Sequence, residues 1–131
     1  MMLYLDNAAT TLKKPLSVYA TLFKSTLFSG GNAGRGGHKM SMDAVRAIVD
    51  TQDLIAQLFN IKKAENIVFT QNATYALNTA ILGTMSNGGH IVVTEMDHNS
   101  VLRPACLPGN YTVVKADKSG YVHAEDVEKA V

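Results

Sequence analysis

Residues 67–94 read IVFTQNATYALNTAILGTMSNGGHIVVT, and the order of patterns inside this stretch decides the fold class. Ile67-Val68-Phe69-Thr70 and Ile91-Val92-Val93-Thr94 are short β-branched and aromatic runs without polar alternation, the composition of strands covered on both faces. Between them, Asn72 to Gly83 places Ala76, Leu77, Ala80 and Ile81 on one side of a helix, with Asn72 near its start. Ser86-Asn87-Gly88-Gly89 then makes a turn. Strand, helix and strand with short links form a βαβ unit, which implies parallel pairing and a right-handed crossover. The sheet is therefore expected to be parallel and buried.

Downstream, a short helix is expected around Asn99 to Ala105, a turn at Pro108-Gly109-Asn110, a strand at Tyr111 to Lys115 and a turn at Asp117-Lys118-Ser119-Gly120. Ala124 to Val131 opens another helix; it meets the end of the sequence without a cap or stop signal, so a continuing parent chain is expected. Upstream, Ser29 to Gly37 (SGGNAGRGG) holds five glycines in nine positions and reads as a loop. After it Ser41 is the expected N-cap of a helix whose apolar face is Val45, Ile48, Val49, Gln52, Ile55, Ala56 and Phe59. Its opposite face carries Asp43, Arg46, Asp50, Asp53 and Gln57, and Asn60 is the expected stop. The expected organisation is an arm and Gly-rich loop over residues 1–40, then an α/β domain beginning at 41–131. An incomplete sheet leaves apolar edges and faces open, so association of the isolated chain is expected.

Composition narrows the partners. Twelve Lys and Arg against 11 Asp and Glu, a net charge of +1, and no basic run beyond a pair argue against nucleic acid or an anionic membrane surface. No apolar stretch reaches the roughly 18 residues of a membrane span, and the first residues lack the basic-then-apolar order of a signal peptide, so a cytoplasmic setting is the expectation. Cys106 is the only cysteine, which leaves no internal disulfide and no Cys-x-x-Cys. His90, His98, Cys106 and His123 lack the short spacing of structural metal sites, and no metal is expected.

In open α/β sheets ligands collect beyond the carboxyl ends of strands, where helix amino ends present free N–H groups. Thr70 to Thr74 lies at such a place, with consecutive N–H donors, a hydroxyl and no acid. It admits two readings: a phosphate cradle, or a helix start that Asn72 caps. It has neither a P-loop ending nor G-x-G-x-x-G. Glu95 to Ser100 ends the next strand, and His98 there suits stacking on a flat ring or proton transfer, or is a helix-start residue without a role. Because the two loops follow strands expected to be neighbours, both can face one ligand.

Four separated motifs, in order, resemble the amino-terminal part of a cysteine desulfurase of the class V aminotransferase group. They are LDNAATT at Leu5 to Thr11 with Lys14-Pro15, GNAGRGGH at Gly31 to His38, FTQNATYALN at Phe69 to Asn78, and TEMDHNSVLRP at Thr94 to Pro104. The resemblance runs from residue 3 to the end. It implies the three-layer, doubly wound, mostly parallel sheet of pyridoxal 5'-phosphate (PLP) transferases of the aspartate aminotransferase type, preceded by an arm, with residues 41–131 as the start of the large cofactor-binding domain. It implies that Ala73 and Thr74 bind the cofactor phosphate through a backbone N–H and a hydroxyl, and that His98 stacks on the pyridine ring and assists proton transfer. Asn7 and Ala8 are implied at the substrate mouth, and His38 at the active-site edge or a dimer contact. The parent is implied to be a homodimer that takes sulfur from L-cysteine, leaving alanine and an enzyme persulfide.

Members of that family are much longer. The remainder supplies the Schiff-base Lys, the Asp at the pyridine nitrogen, the reactive Cys and the Arg for the substrate carboxylate, so this chain alone is expected to be inactive. Gly37-His38-Lys39 imitates the family's Gly-His-Lys but precedes the phosphate-binding segment, and Lys39 reads as a solvated side chain. Cys106 lies just past Arg103-Pro104, far upstream of the reactive Cys, and reads as a structural or partly exposed thiol. Two other readings remain: another class V enzyme (an aminotransferase, an epimerase-like enzyme or a lyase), or a non-catalytic α/β module for a phosphorylated small molecule.

Overall fold

The computed structural model describes residues 3–131. Its contacts divide into one unit running to Val68 and a second, Phe69–Val131, whereas the sequence reading places its division at residue 40.

The first unit contains α1 (Leu16–Phe28) and α2 (Lys39–Leu58), followed by a 3-10 turn at Ala64–Asn66. Helix α1 lies inside the stretch read as arm and loop and was not foreseen. Its clearest signal is Pro15 immediately before a segment free of Gly and Pro. None of its residues is buried. Helix α2 begins two residues before the expected Ser41 cap: His38 is the N-cap, its Nδ1 accepting the Ser41 N–H at 3.4 Å. The Ser41 side chain is committed elsewhere, donating from Oγ to the Asn32 carbonyl at 2.5 Å, and the residue is fully buried. The expected stop is found. Asn60 takes a left-handed φ of 53°, the Ile61 N–H donates to the Ala56 carbonyl at 2.8 Å and the Asn60 N–H to that of Gln57 at 3.3 Å, the double closure of a Schellman ending.

The expected strand at Ile67–Thr70 is absent. A strand exists only through a ladder, and here the Ile67 carbonyl accepts the Gln52 side-chain amide at 2.7 Å while Thr70 Oγ1 donates to the Asn72 carbonyl at 3.0 Å. The βαβ unit therefore lies one step later than expected. In the second unit α3 (Ala73–Met85) is followed by β1 (Ile91–Thr94), α4 (Asn99–Cys106), β2 (Tyr111–Val114) and α5 (Ala124–Ala130). β1 and β2 pair in parallel, Ile91 with Tyr111 through Thr94 with Val114, and α4 is the crossover. Gly88 and Gly89 take φ of 83° and 130° in the turn that ends the approach to β1, conformations that side chains other than glycine's disfavour.

Helix α4 packs on α3 and β1, and α5 on β2. Val93, Val114, Ala105 and Pro104 are buried there. The sheet is not covered on both faces as expected: Tyr111 and Val113 remain 41% and 40% exposed, because a two-stranded pair has layers for only part of its surface. Helix α3 starts where the sequence places it, with the Tyr75 N–H donating to Asn72 Oδ1 at 2.8 Å. Asn72→Ala is expected to remove about 1 kcal/mol from α3, read as faster amide exchange confined to its first two turns; unchanged exchange would show that the cap carries no weight.

Candidate functional site

A cleft of about 380 Å³ in the second unit is lined by Thr74, Asn78, His98, Asn99, Ser100 and Arg103. Thr74 is the second residue of α3, so the free N–H groups and positive end of that helix open beside it. His98 is the N-cap of α4, and the loop before it is braced at two points. Asp97 Oδ2 accepts the Thr94 N–H at 2.8 Å and the Thr94 hydroxyl at 3.2 Å, and Glu95 Oε2 accepts the Ala116 N–H at 3.2 Å. These bonds fix the path from β1 to α4 and hence the origin of the His98 side chain.

The ring is also fixed. His98 Nδ1 lies 3.1 Å from the Ser100 N–H, which can only donate, and 2.9 Å from Ser100 Oγ. Nδ1 is therefore the acceptor, the neutral ring carries its proton on Nε2, and Ser100 Oγ–H is the second donor. No carboxylate lines the cleft, and Arg103 gives it a positive charge. Such a surface suits a planar ligand carrying an oxyanion.

Thr74 and His98, singled out in the sequence, thus line one cleft. Ala73 opens α3 next to Thr74 without lining it. Asn7 and Ala8 are exposed in a turn closed by the Ala9 and Thr10 N–H groups on the Asp6 carbonyl, at 3.2 and 3.3 Å, with the Tyr4 hydroxyl donating to the Thr10 carbonyl at 2.6 Å. They and His38 belong to the first unit. Asn99 and Ser100 belong to the loop that the sequence places beside the ligand, whereas Asn78 and Arg103 were not singled out; the signal was the helical spacing of Asn78 from Thr74 and of Arg103 from Asn99.

Cys106 is exposed at the end of α4, outside the cleft lining, and its thiol nearby holds the Tyr111 phenol above its usual range. Lys39 forms an exposed pair with Asp43 at 2.8 Å. Among the described residues no cluster of His, Cys, Asp or Glu has the arrangement of a metal site, and no helix is long and apolar enough to cross a membrane.

A parallel strand pair with its crossover helix, and a positively charged, acid-free cleft where two helices begin, define an α/β protein with a basic corner beside its sheet. The chain belongs to the aminotransferase class-V family, whose model matches residues 3–131. It is similar to proteins named "Probable cysteine desulfurase": 39% identity in Aeropyrum pernix over 77% of this chain and 25% of that protein, and 34% in a Synechocystis species over 79% and 25%. The counterpart in Borreliella burgdorferi is 27% identical over 98% of this chain and 33% of its own length. A solved structure titled NifS-like protein superposes on all of this chain and 37% of its own with a TM-score of 0.84 at 24% identity, which extends the partial α/β assignment to that fold. The chain spans a quarter to a third of the curated relatives it matches.

Proposed function

We propose that this chain supplies the phosphate and ring contacts for PLP in a cysteine desulfurase acting on L-cysteine. In that reading residues 1–40 are the arm and loop, 41–131 open the large domain, and the parent works as a homodimer. One observation carries the proposal: Thr74 and His98 line the same acid-free cleft. The donor set fits the cofactor, with a hydroxyl and helix-end N–H groups for the phosphate monoester, a cation to balance it, and a flat ring for the pyridine.

The Thr74 hydroxyl and the N–H groups around Ala73 donate to the phosphate oxygens, and Arg103 offsets their charge. His98 would pack on the pyridine ring, and because Ser100 occupies Nδ1, its Nε2–H would remain free as a donor. Asn7, Ala8 and His38 serve the substrate mouth. When bound, the cofactor supplies an electron sink for cleavage of the C–S bond of cysteine.

Pyridoxine 5'-phosphate has no aldehyde and cannot label lysines, so it isolates these contacts. In equilibrium dialysis it is expected to bind the chain more tightly than pyridoxine. Thr74→Val is expected to weaken it about tenfold, a loss of about 1.4 kcal/mol, and Arg103→Gln about threefold. Equal binding of the two compounds, or indifference to Thr74→Val, would overturn the proposal.

A further inference from the structure

We infer that Asn78 is a positioning residue which, using a helix carbonyl freed by Pro104, sets the spacing between the first turn of α3 and the His98 ring. The inference rests on the cofactor reading above for its function, not for its geometry.

In an α-helix each carbonyl accepts the N–H four residues later. For Ser100 that residue is Pro104, which has no N–H and lies fully buried inside α4. The Ser100 carbonyl thus lacks its helical donor, and Ser100 itself is only 9% exposed, so water is a poor substitute. The side-chain amide of Asn78 takes the place of the missing donor. Its Nδ2 lies 3.4 Å from the Ser100 carbonyl and 2.8 Å from the Thr74 carbonyl, so the two amide protons are divided between two helices. Both partners are acceptors, and this settles which way the amide faces. Ser100 in turn holds His98 Nδ1 with its N–H and hydroxyl. A continuous path of hydrogen bonds therefore joins Thr74, Asn78, Ser100 and His98. The longest bond in it, 3.4 Å, is the one between the helices, and its weight comes from satisfying a carbonyl that has no helical partner.

The geometry requires that Asn78 and Pro104 depend on each other. Pro104→Ala restores an N–H that closes the Ser100 carbonyl within α4 and releases the Asn78 amide. The test is a double-mutant cycle between Asn78→Leu, similar in size but without a donor, and Pro104→Ala, with Asn78→Gln as the variant that keeps a donor. In chain carrying nitrogen-15 histidine and no ligand, Asn78→Leu is expected to move the His98 ring signals and admit the Nδ1–H form. It should do neither in the Pro104→Ala background, and Asn78→Gln should retain most of the wild-type pattern. With pyridoxine 5'-phosphate, Asn78→Leu is expected to weaken binding about fivefold in the native background and less than twofold with Pro104→Ala. Equal effects in both backgrounds, or unmoved His98 signals, would overturn the inference. Coupled ring signals without binding of the probe would leave the clip standing and overturn the cofactor reading alone.

Discussion

Incubated with pyridoxal 5'-phosphate and reduced with borohydride, the 131-residue polypeptide is expected to yield no stoichiometric adduct at a single lysine, and to release no sulfide from L-cysteine. The physical ground is the lining of the cleft. Thr74, Asn78, His98, Asn99, Ser100 and Arg103 include no amine to hold the cofactor covalently and no thiol to accept sulfur. Lys39 is an exposed helix residue paired with Asp43, and Cys106 is an exposed thiol outside the cleft lining. Proximity is the part of covalent catalysis that a surface amine cannot supply, and it is worth several kcal/mol of barrier. Scattered low-level labelling of lysines is the expected background. Peptide mass analysis showing one lysine modified at full occupancy would sink this account of the site.

Gly31→Ala is the substitution with the largest expected effect on folding. A Cβ at Gly31 would overlap the Met40 carbonyl group and the Ser41 nitrogen, backbone atoms of the first turn of α2. That turn has little room to move, because the Ser41 hydroxyl is bonded to the Asn32 carbonyl and Ser41 is fully buried. Relief therefore requires breaking the contact between the Gly-rich loop and α2, at a cost of about 3 kcal/mol. Protection of the α2 amides against exchange is expected to fall on the order of a hundredfold. Gly37→Ala is the control, since a Cβ there meets nothing within 4 Å, and its effect should stay within about 1 kcal/mol. Wild-type protection in Gly31→Ala would show that the loop does not pack on the helix start.

Both results bear on how much of this molecule its sequence discloses. The amide cap at Asn72, the stop at Asn60, the turn glycines and the runs at β1 and β2 were legible, because each acts over a few residues and leaves a local signature. The start of α2 was misplaced because Ser41 looks like a cap, while its hydroxyl is drawn to Asn32 by a loop packing that no periodicity records. Helix α1 was passed over because its apolar residues do not form a buried stripe: Leu16, Leu22, Phe23 and Phe28 are all exposed.

The sequence by itself determined the start of α3, the end of α2, the parallel strand type and, through four ordered motifs, the membership that the family match over residues 3–131 shows. Only the tertiary structure decided that Ile67–Thr70 forms no ladder, that β1 pairs with β2, and that Asn78 and Arg103 join Thr74 and His98 around one cleft. The difference is one of range. A cap or a turn is stabilised within one stretch of chain, whereas a ladder or an orphaned carbonyl such as that of Ser100 finds its partner only when segments some twenty residues apart are folded against each other.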